Sequence, residues 1–347
     1  VPLAFWGQGR GILTSTHTQR IGPLAALPRL LNELGVSLEE ACAGTGIAPA
    51  DLVPDARAPY PALVELLDRS AALARCPHLG LLLGARCDHR PLGVIGEMMA
   101  CAPTLGDAFR DYIGVQIGYS RSAVVYLQRS GADYVVGYGL YDSKTGPSRQ
   151  VHDLVVAMGC NMVRALTGAR GQVLRVLESV GQPETLAAHR SVLKSTVLFD
   201  QDQTGIVLSA HDMALPLPGH DPARRQQLRT AIRQAMRGEF EDVAANVRHA
   251  LRPRLMLGET GRDAVARDLG ITGRTLARRL ARAGTSFEAI KDEVRFTVAR
   301  ELLTLTRLPI GRIGEALSYS ANSAFDHAFT RWAGMAPSQW RLERARD

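Results

Sequence analysis

Apolar side chains return every three or four positions through most of this chain, the spacing of a helix that buries one face. They alternate at every second position in only a few short runs. The helical pattern is sharpest near the carboxyl end. Ile310, Ile313 and Leu317 give a short helix one apolar face, and after the break Ser318-Tyr319-Ser320 a second helix buries Phe325, Phe329 and Trp332. Asn322, Ser323, Asp326, His327 and Thr330 are left pointing outward. Short helix, tight turn and second helix with a small polar outer face predict a helix-turn-helix over 309–333. Gly334 stands where a helix C-cap needs positive φ, and Pro337 suits the first turn of a following helix. Residues 262–283 repeat the arrangement, with Val265, Leu269, Ile271, Leu276 and Leu280 as the buried set and Gly270 at the turn. Between the two units, 287–305 predicts one long helix.

Upstream, helices are predicted over 23–34, 37–46, 61–74, 92–100, 104–119, 149–166 and 224–239, with Ser37 and Thr104 as N-caps. The period then shortens. Runs at 122–127 and 134–141, separated by the polar stretch from Gln128 to Asp133, predict a hairpin, and further strands are predicted at 173–178, 192–199 and 206–208. On the hairpin, Tyr134, Val136 and Tyr138 share one face, as do Val124 and Tyr126. The fold class is therefore mainly α: an N-terminal α+β domain of helices plus a small sheet, then an all-α domain with two helix-turn-helix units joined by a long helix. Pro216, Pro218, Gly219 and Pro222 mark the boundary. The expected division is a flexible extension over 1–20, a first domain over 21–217, a linker over 218–240 and the second domain over 241–347.

A length of 347 residues suits two domains, and 46% hydrophobic residues can build a core in each. No apolar run approaches the roughly 20 residues of a membrane helix, and 1–20 lacks the pattern of a secretory signal, so a cytoplasmic protein with no membrane partner is expected. Of the net charge of +7, the stretch 241–347 carries +5, from 18 basic against 13 acidic residues. A basic excess confined to the helix-turn-helix part is the electrostatic footprint of a DNA-facing domain. Lysine occurs only three times against 38 arginines, so it is the placement of arginine that informs, not its number. Five scattered cysteines with no C-x2-C spacing point to buried thiols rather than a disulfide framework or zinc site. No H-E-x-x-H, G-x-S-x-G or G-x4-G-K-[ST] occurs, and the glycine-rich run at 7–11 has no preceding strand. No catalytic residue, metal or cofactor is expected, and no enzyme.

Arg274 and Arg278 lie four apart on one helix face, with Thr275 and Arg279 beside them. Such a face can be merely solvated, but arginine is also the side chain best shaped to grip guanine with two bonds. Here the residues carry a family likeness. Residues from about 241 to 347 resemble the DNA-binding domain of the AraC/XylS transcription regulators. The likeness rests on Ala324-Phe325, Ala328-Phe329, Gly334, Pro337-Ser338 and Trp340-Arg341. It implies base contacts from Arg274, Ala277 and Arg278 in the first unit and from Asn322, Ser323 and His327 in the second; Arg279 and Arg331 are expected to hold phosphate. Two positions depart from the family pattern: Ser318 replaces the usual glycine of the second turn, and His327 replaces a usual arginine.

The stretches 92–112 and 208–228 are similar to the helical sensor domain of one AraC-type subgroup. That sensor is not the β-barrel that holds sugar in the arabinose regulator, so a sugar is not implied. What the resemblance implies is a small organic effector, double-stranded promoter DNA, RNA polymerase and a homodimer as partners, and activation as the family's habit. Around the hairpin, Arg121, Tyr126, Tyr134, Tyr138 and His152 are the candidate effector contacts, although tyrosines on strands often only pack and a helical histidine is often only hydrogen-bonded. An arginine beside an apolar pocket would suit a carboxylate. The alternative is an N-terminal domain without a ligand, used only for dimerisation or polymerase contact.

Overall fold

The computed structural model describes residues 18–235 and 242–344. Most of the expected extension, the glycine-rich run at 7–11 and the end of the expected linker lie outside the described residues. The N-terminal half opens with the short antiparallel pair β1 (Thr18–Arg20) and β2 (Arg57–Pro59), between which run α1 (Leu27–Glu33) and α2 (Leu38–Cys42). Then come α3 (Tyr60–Leu73), α4 (Leu79–Gly84), α5 (Val94–Ala100) and α6 (Leu105–Val115). The predicted caps form: Ser37 accepts from the Glu40 amide and Thr104 from the Asp107 amide, each at 3.2 Å. Helix α4 had no periodic signal because its run LGLLLG is apolar all round. Its glycines explain the close packing on α7 (Arg149–Leu166): a β-carbon at Gly80 or Gly84 would collide with the backbone of Gln150 or Leu154.

The sheet is open, in the order β3 (Ala123–Ser130), β4 (Asp133–Leu140), β7 (Thr204–Ser209), β5 (Arg175–Leu177), β6 (Thr196–Leu198). All pairs are antiparallel except β5 with β6. The hairpin turn is tighter than the sequence suggests. Ser130 pairs with Asp133, and only Gly131 and Ala132 lie between them, Gly131 at φ +62°. The polar residues 128–130 are thus solvent-side strand, not loop. The expected strand over 192–199 divides: Val192 and Leu193 end helix α8 (Ala187–Leu193), the chain reverses at Lys194 with φ +53°, and only Thr196–Leu198 is strand. The half closes with α9 (Ala210–Met213) and α10 (Pro222–Ala235). Helix α10, within the expected linker, packs onto α5 through buried Leu228 and Ile232. Arg225 and Arg229 fasten it to Asp111 at 2.6 and 2.5 Å.

The C-terminal half is all helix: α11 (Val243–Leu257), α12 (Arg262–Asp268), α13 (Gly273–Arg282), α14 (Phe287–Leu305), α15 (Ile310–Ala316), α16 (Asn322–Ala333) and α17 (Pro337–Arg344). The first turn uses Gly270 at φ +66°, and Gly334 caps α16 in the left-handed region, as their positions require. Phe296, Phe325, Phe329, Trp332 and Trp340 form one aromatic nucleus that seats α16 and α17 on α14. The apolar core of this half extends into the other: Val124, Tyr126 and Tyr141 belong to the cluster of Val247, Leu251 and the helix-turn-helix interior.

Candidate functional site

On α13 the sequence sorts its residues by face. Leu276 and Leu280 are fully buried, Thr272 caps the helix by accepting from the Thr275 amide at 3.2 Å, and Arg274 and Arg278 stand exposed, with no ion pair among the described residues. Ala277 lies half-buried between them. Arg279 takes another direction: with Arg282 it lines the groove between this unit and β3. On α16, Asn322, Ser323 and His327 are exposed, while Phe325, Ala328 and Phe329 are buried. Asn322 lies against Gly311, where a β-carbon would come within 3.0 Å of its amide. Arg331 is exposed and paired with Asp292 of α14 at 2.7 Å.

The Ser318 turn keeps the geometry that glycine would give. Its φ is +62°, a left-handed conformation that costs a non-glycine residue roughly 1 kcal/mol. Two contacts hold it there. Its hydroxyl donates to the Leu255 carbonyl at 3.3 Å, and Arg295, stacked 4.5 Å from the Tyr319 ring, donates to the Ser318 carbonyl at 3.3 Å. Helix α14 links the two units; its 19 residues span about 28 Å, comparable with the ~34 Å of one DNA turn.

The N-terminal half encloses an apolar cavity of ≈100 Å³ between α3, α6, α7 and the sheet. Met158, Gly159 and Met162 of α7 form one side, and Val125, Val136 and Tyr138 of the hairpin form another. Its polar groups are few. Tyr60 and Tyr138 share a short hydroxyl–hydroxyl hydrogen bond. The Gln116 amide is spent on strand β3, donating to the Ala123 carbonyl and accepting from the Val125 amide, both at 3.2 Å. The Tyr119 ring also lines the wall, but its hydroxyl is turned onto Gly22, where a β-carbon would overlap it. Burial raises the tyrosine hydroxyls far above their ordinary range, and the negative charge of Glu301 adds to this at Tyr60 and Tyr138.

Glu301 comes from α14, so the cavity wall and the C-terminal half meet. The hairpin is the shared partition. Along β4, Tyr138 faces the cavity while the next residue, Gly139, faces away and accepts the guanidinium of Arg252 from α11; a β-carbon there would lie 2.5 Å from its Cζ. Along β3, Val125 faces the cavity while Val124 and Tyr126 join the core of the C-terminal half, the Tyr126 ring covering Gly137. Arg252 donates to the Leu140 carbonyl at 3.0 Å, and its Nη2 lies 3.8 Å from Glu301 Oε1. His152 Nε2 lies 3.9 Å from the same oxygen, and its Nδ1 meets the Thr204 hydroxyl at 2.7 Å. Burial holds His152 below the ordinary imidazole value, with Glu301 opposing. At the rim, Arg300 donates to the Ser143 and Thr145 carbonyls at 2.7 and 3.1 Å, and Ser143 donates to Glu293 at 3.1 Å.

Two helix-turn-helix units with polar outward helices, on a common long helix and joined to a sensor-like α+β half, define a DNA-binding regulator. Comparison with known proteins agrees. Residues 35–217 match the family described as the arabinose-binding domain of AraC transcription regulators, N-terminal, and residues 265–343 match a helix-turn-helix domain. The chain belongs to the AraC family of transcription regulators. It is similar to the ornithine utilization regulator of Pseudomonas aeruginosa, 26% identical over 93% of this chain and 97% of that one. It is also similar to an uncharacterized HTH-type transcriptional regulator of Mycobacterium tuberculosis, 30% identical over 90% of this chain and 93% of that one. Among solved structures, the transcriptional regulator CdpR from Pseudomonas aeruginosa aligns over 96% of this chain and all of its own, at 21% identity and a TM-score of 0.47.

Of the five effector candidates read from the hairpin, Tyr138 lines the cavity. Tyr126 is turned to the interdomain side, donating to Gln203 at 3.0 Å, and His152 is buried in the interface network. Arg121 and Tyr134 are absent from the cavity wall. Tyr60 and Tyr119, which do line it, were overlooked because each reads as an ordinary apolar position at a helix or turn. Arg252 and Glu301 were overlooked because each looks like a solvated charge on a helix. No helix among the described residues is long and apolar enough to cross a membrane.

Proposed function

We propose that this regulator reads two adjacent major-groove segments, one with α13 and one with α16, and that a small organic effector in the N-terminal cavity tunes that binding. Arg274, Ala277 and Arg278 would meet bases in the first segment and Asn322, Ser323 and His327 in the second, while Arg331 exchanges Asp292 for a phosphate. Thr275 and Arg279 flank the first helix, Arg279 reaching the backbone from its groove. The observation that carries the reading is the partition: β4 sets Tyr138 against the cavity and Gly139 against Arg252. A molecule that shifts this strand must shift the contact on which the DNA-binding half rests. Activation through RNA polymerase, homodimerisation and a cytoplasmic setting fit such a regulator.

One relative is named for ornithine utilization. Ornithine is charged at neutral pH, and the cavity wall has no charged side chain to meet it, so that name is not carried over. The test is retention of random duplexes by the purified chain, followed by sequencing. Enrichment of two short boxes about one turn apart supports the reading; no preference over scrambled competitor at moderate salt refutes it.

A further inference from the structure

The cavity's chemistry narrows its occupant, on the reading that the cavity is the effector site. No lysine, arginine, histidine, aspartate or glutamate lines it. An isolated carboxylate placed there would exchange its hydration for at most a few neutral hydrogen bonds and no opposite charge, a cost above what such bonds return. Arg20, behind the wall, has its guanidinium 6.0 Å from the Tyr119 ring and is paired with Asp55.

What the wall does offer, besides the amides of Gln19 and Gln116, is tyrosine hydroxyl. In the Tyr60–Tyr138 pair one O–H donates to the other oxygen, leaving one hydrogen unspent. Tyr112 also stands on the wall, whereas the Tyr119 hydroxyl is turned onto Gly22, which does not line the cavity. A buried hydroxyl left unsatisfied is a standing cost that a ligand acceptor would relieve. Space is held open in the same way. Gly159 lies in the middle of α7, where alanine would be about 1 kcal/mol better for the helix. A β-carbon there would meet Ile206 at 3.5 Å, an ordinary contact, so packing does not demand the glycine. The cavity of ≈100 Å³ is smaller than the ~150 Å³ that accepts benzene, but Met158 and Met162 can yield a little.

We infer that the occupant is a small uncharged molecule, apolar over most of its surface, with an alcohol, ketone or ester oxygen to meet the tyrosine hydroxyls, and that carboxylates are excluded. The experiment uses the full chain and matched probes: benzyl alcohol against benzoate, and 2-hexanone against hexanoate, at pH 7.5. Binding is read by thermal shift and isothermal titration. The neutral member of each pair should bind and its carboxylate should not. Tyr60→Phe combined with Tyr138→Phe, which removes the hydroxyl pair and keeps both rings, should weaken the neutral probes by about three- to tenfold, the worth of one hydrogen bond. Gly159→Leu should abolish the shifts; Gly159→Ala, a milder filling, should reduce them and serves if the leucine variant does not fold. Carboxylates binding as well as their neutral partners, and losing binding in the Gly159 variants, would overturn the exclusion while leaving the cavity as the effector site. Binding that survives filling, or no binding by either class, would overturn both.

Discussion

Replacing Glu301 by leucine should destabilise the chain far more than an ordinary surface acid would. The reason is what it leaves behind. Arg252 has a fully buried side chain and Glu301 one that is 3% exposed, with 3.8 Å between Nη2 and Oε1. Nε of Arg252 is held by the Leu140 carbonyl, but neither Nη has a hydrogen-bond partner. Arginine cannot shed its proton, so removing Glu301 strands a charge in the interface, a change that costs roughly 3–5 kcal/mol. The pair itself is not worth that much, because both groups were desolvated to form it. Glu301→Leu combined with Arg252→Met, which keeps an aliphatic arm over Gly139, should therefore recover about 2 kcal/mol or more of the loss. The assay is urea unfolding followed by the fluorescence of Trp332 and Trp340, both in the C-terminal half. A cost below about 1 kcal/mol for Glu301→Leu, or a double variant no better than the sum of the singles, would refute the argument that this pair is a desolvated tie between the halves.

Three further outcomes are expected. Arg278→Ala should cost about 1–3 kcal/mol on a selected duplex and relax preference at one base position, whereas Arg331→Ala should weaken all duplexes alike and lower the salt slope by about one; equal loss on every sequence for Arg278→Ala would make it a phosphate contact. Ser318→Val should destabilise by on the order of 1–2 kcal/mol, because a β-branched residue fits poorly at φ +62° and the bond to Leu255 is lost; an unchanged denaturation midpoint would show that the turn rearranges freely. Stability should fall in mild acid. Burial depresses both His152 and His249, His249 to about 4, so the unfolded chain takes up protons near pH 6.5 that the folded chain refuses. The contribution is whole above pH 6.5 and lost as pH falls towards 4, and His249→Leu should flatten the melting-temperature profile over that range; an unaltered slope would contradict the assignment.

The parts of the fold that could be read from the sequence were those set by local rules. Helix α7 begins and ends where its apolar stripe does, Thr104 and Ser37 cap as their positions require, and Gly270 and Gly334 take the positive φ for which glycine is suited. The outward residues of α13 were legible for the same reason: a helix that buries Leu276 and Leu280 must present Arg274 and Arg278 to the outside. The cavity was not, because its wall is assembled from helices and strands far apart in the chain. Nothing local distinguishes Tyr60 from a tyrosine that merely packs. The interface was hidden by the same long-range pairing. Gly139 is a mild flaw in a strand until Arg252, more than a hundred residues later, is seen to occupy the space it leaves. Helix α4 escaped because a segment buried on every side has no period.

The central claim is that both helix-turn-helix units engage one duplex together, at a separation fixed by α14. The direct measurement is the affinity of the full chain for its selected duplex before and after inserting five base pairs between the two boxes. A half-turn insertion places the second box on the opposite face of the DNA, and affinity should drop to that of a duplex with one box scrambled, a loss of about tenfold or more. A further five base pairs restore the face but not the distance, and should not restore the affinity. Undiminished binding after the first insertion would show that the two units do not read the duplex as a rigid pair.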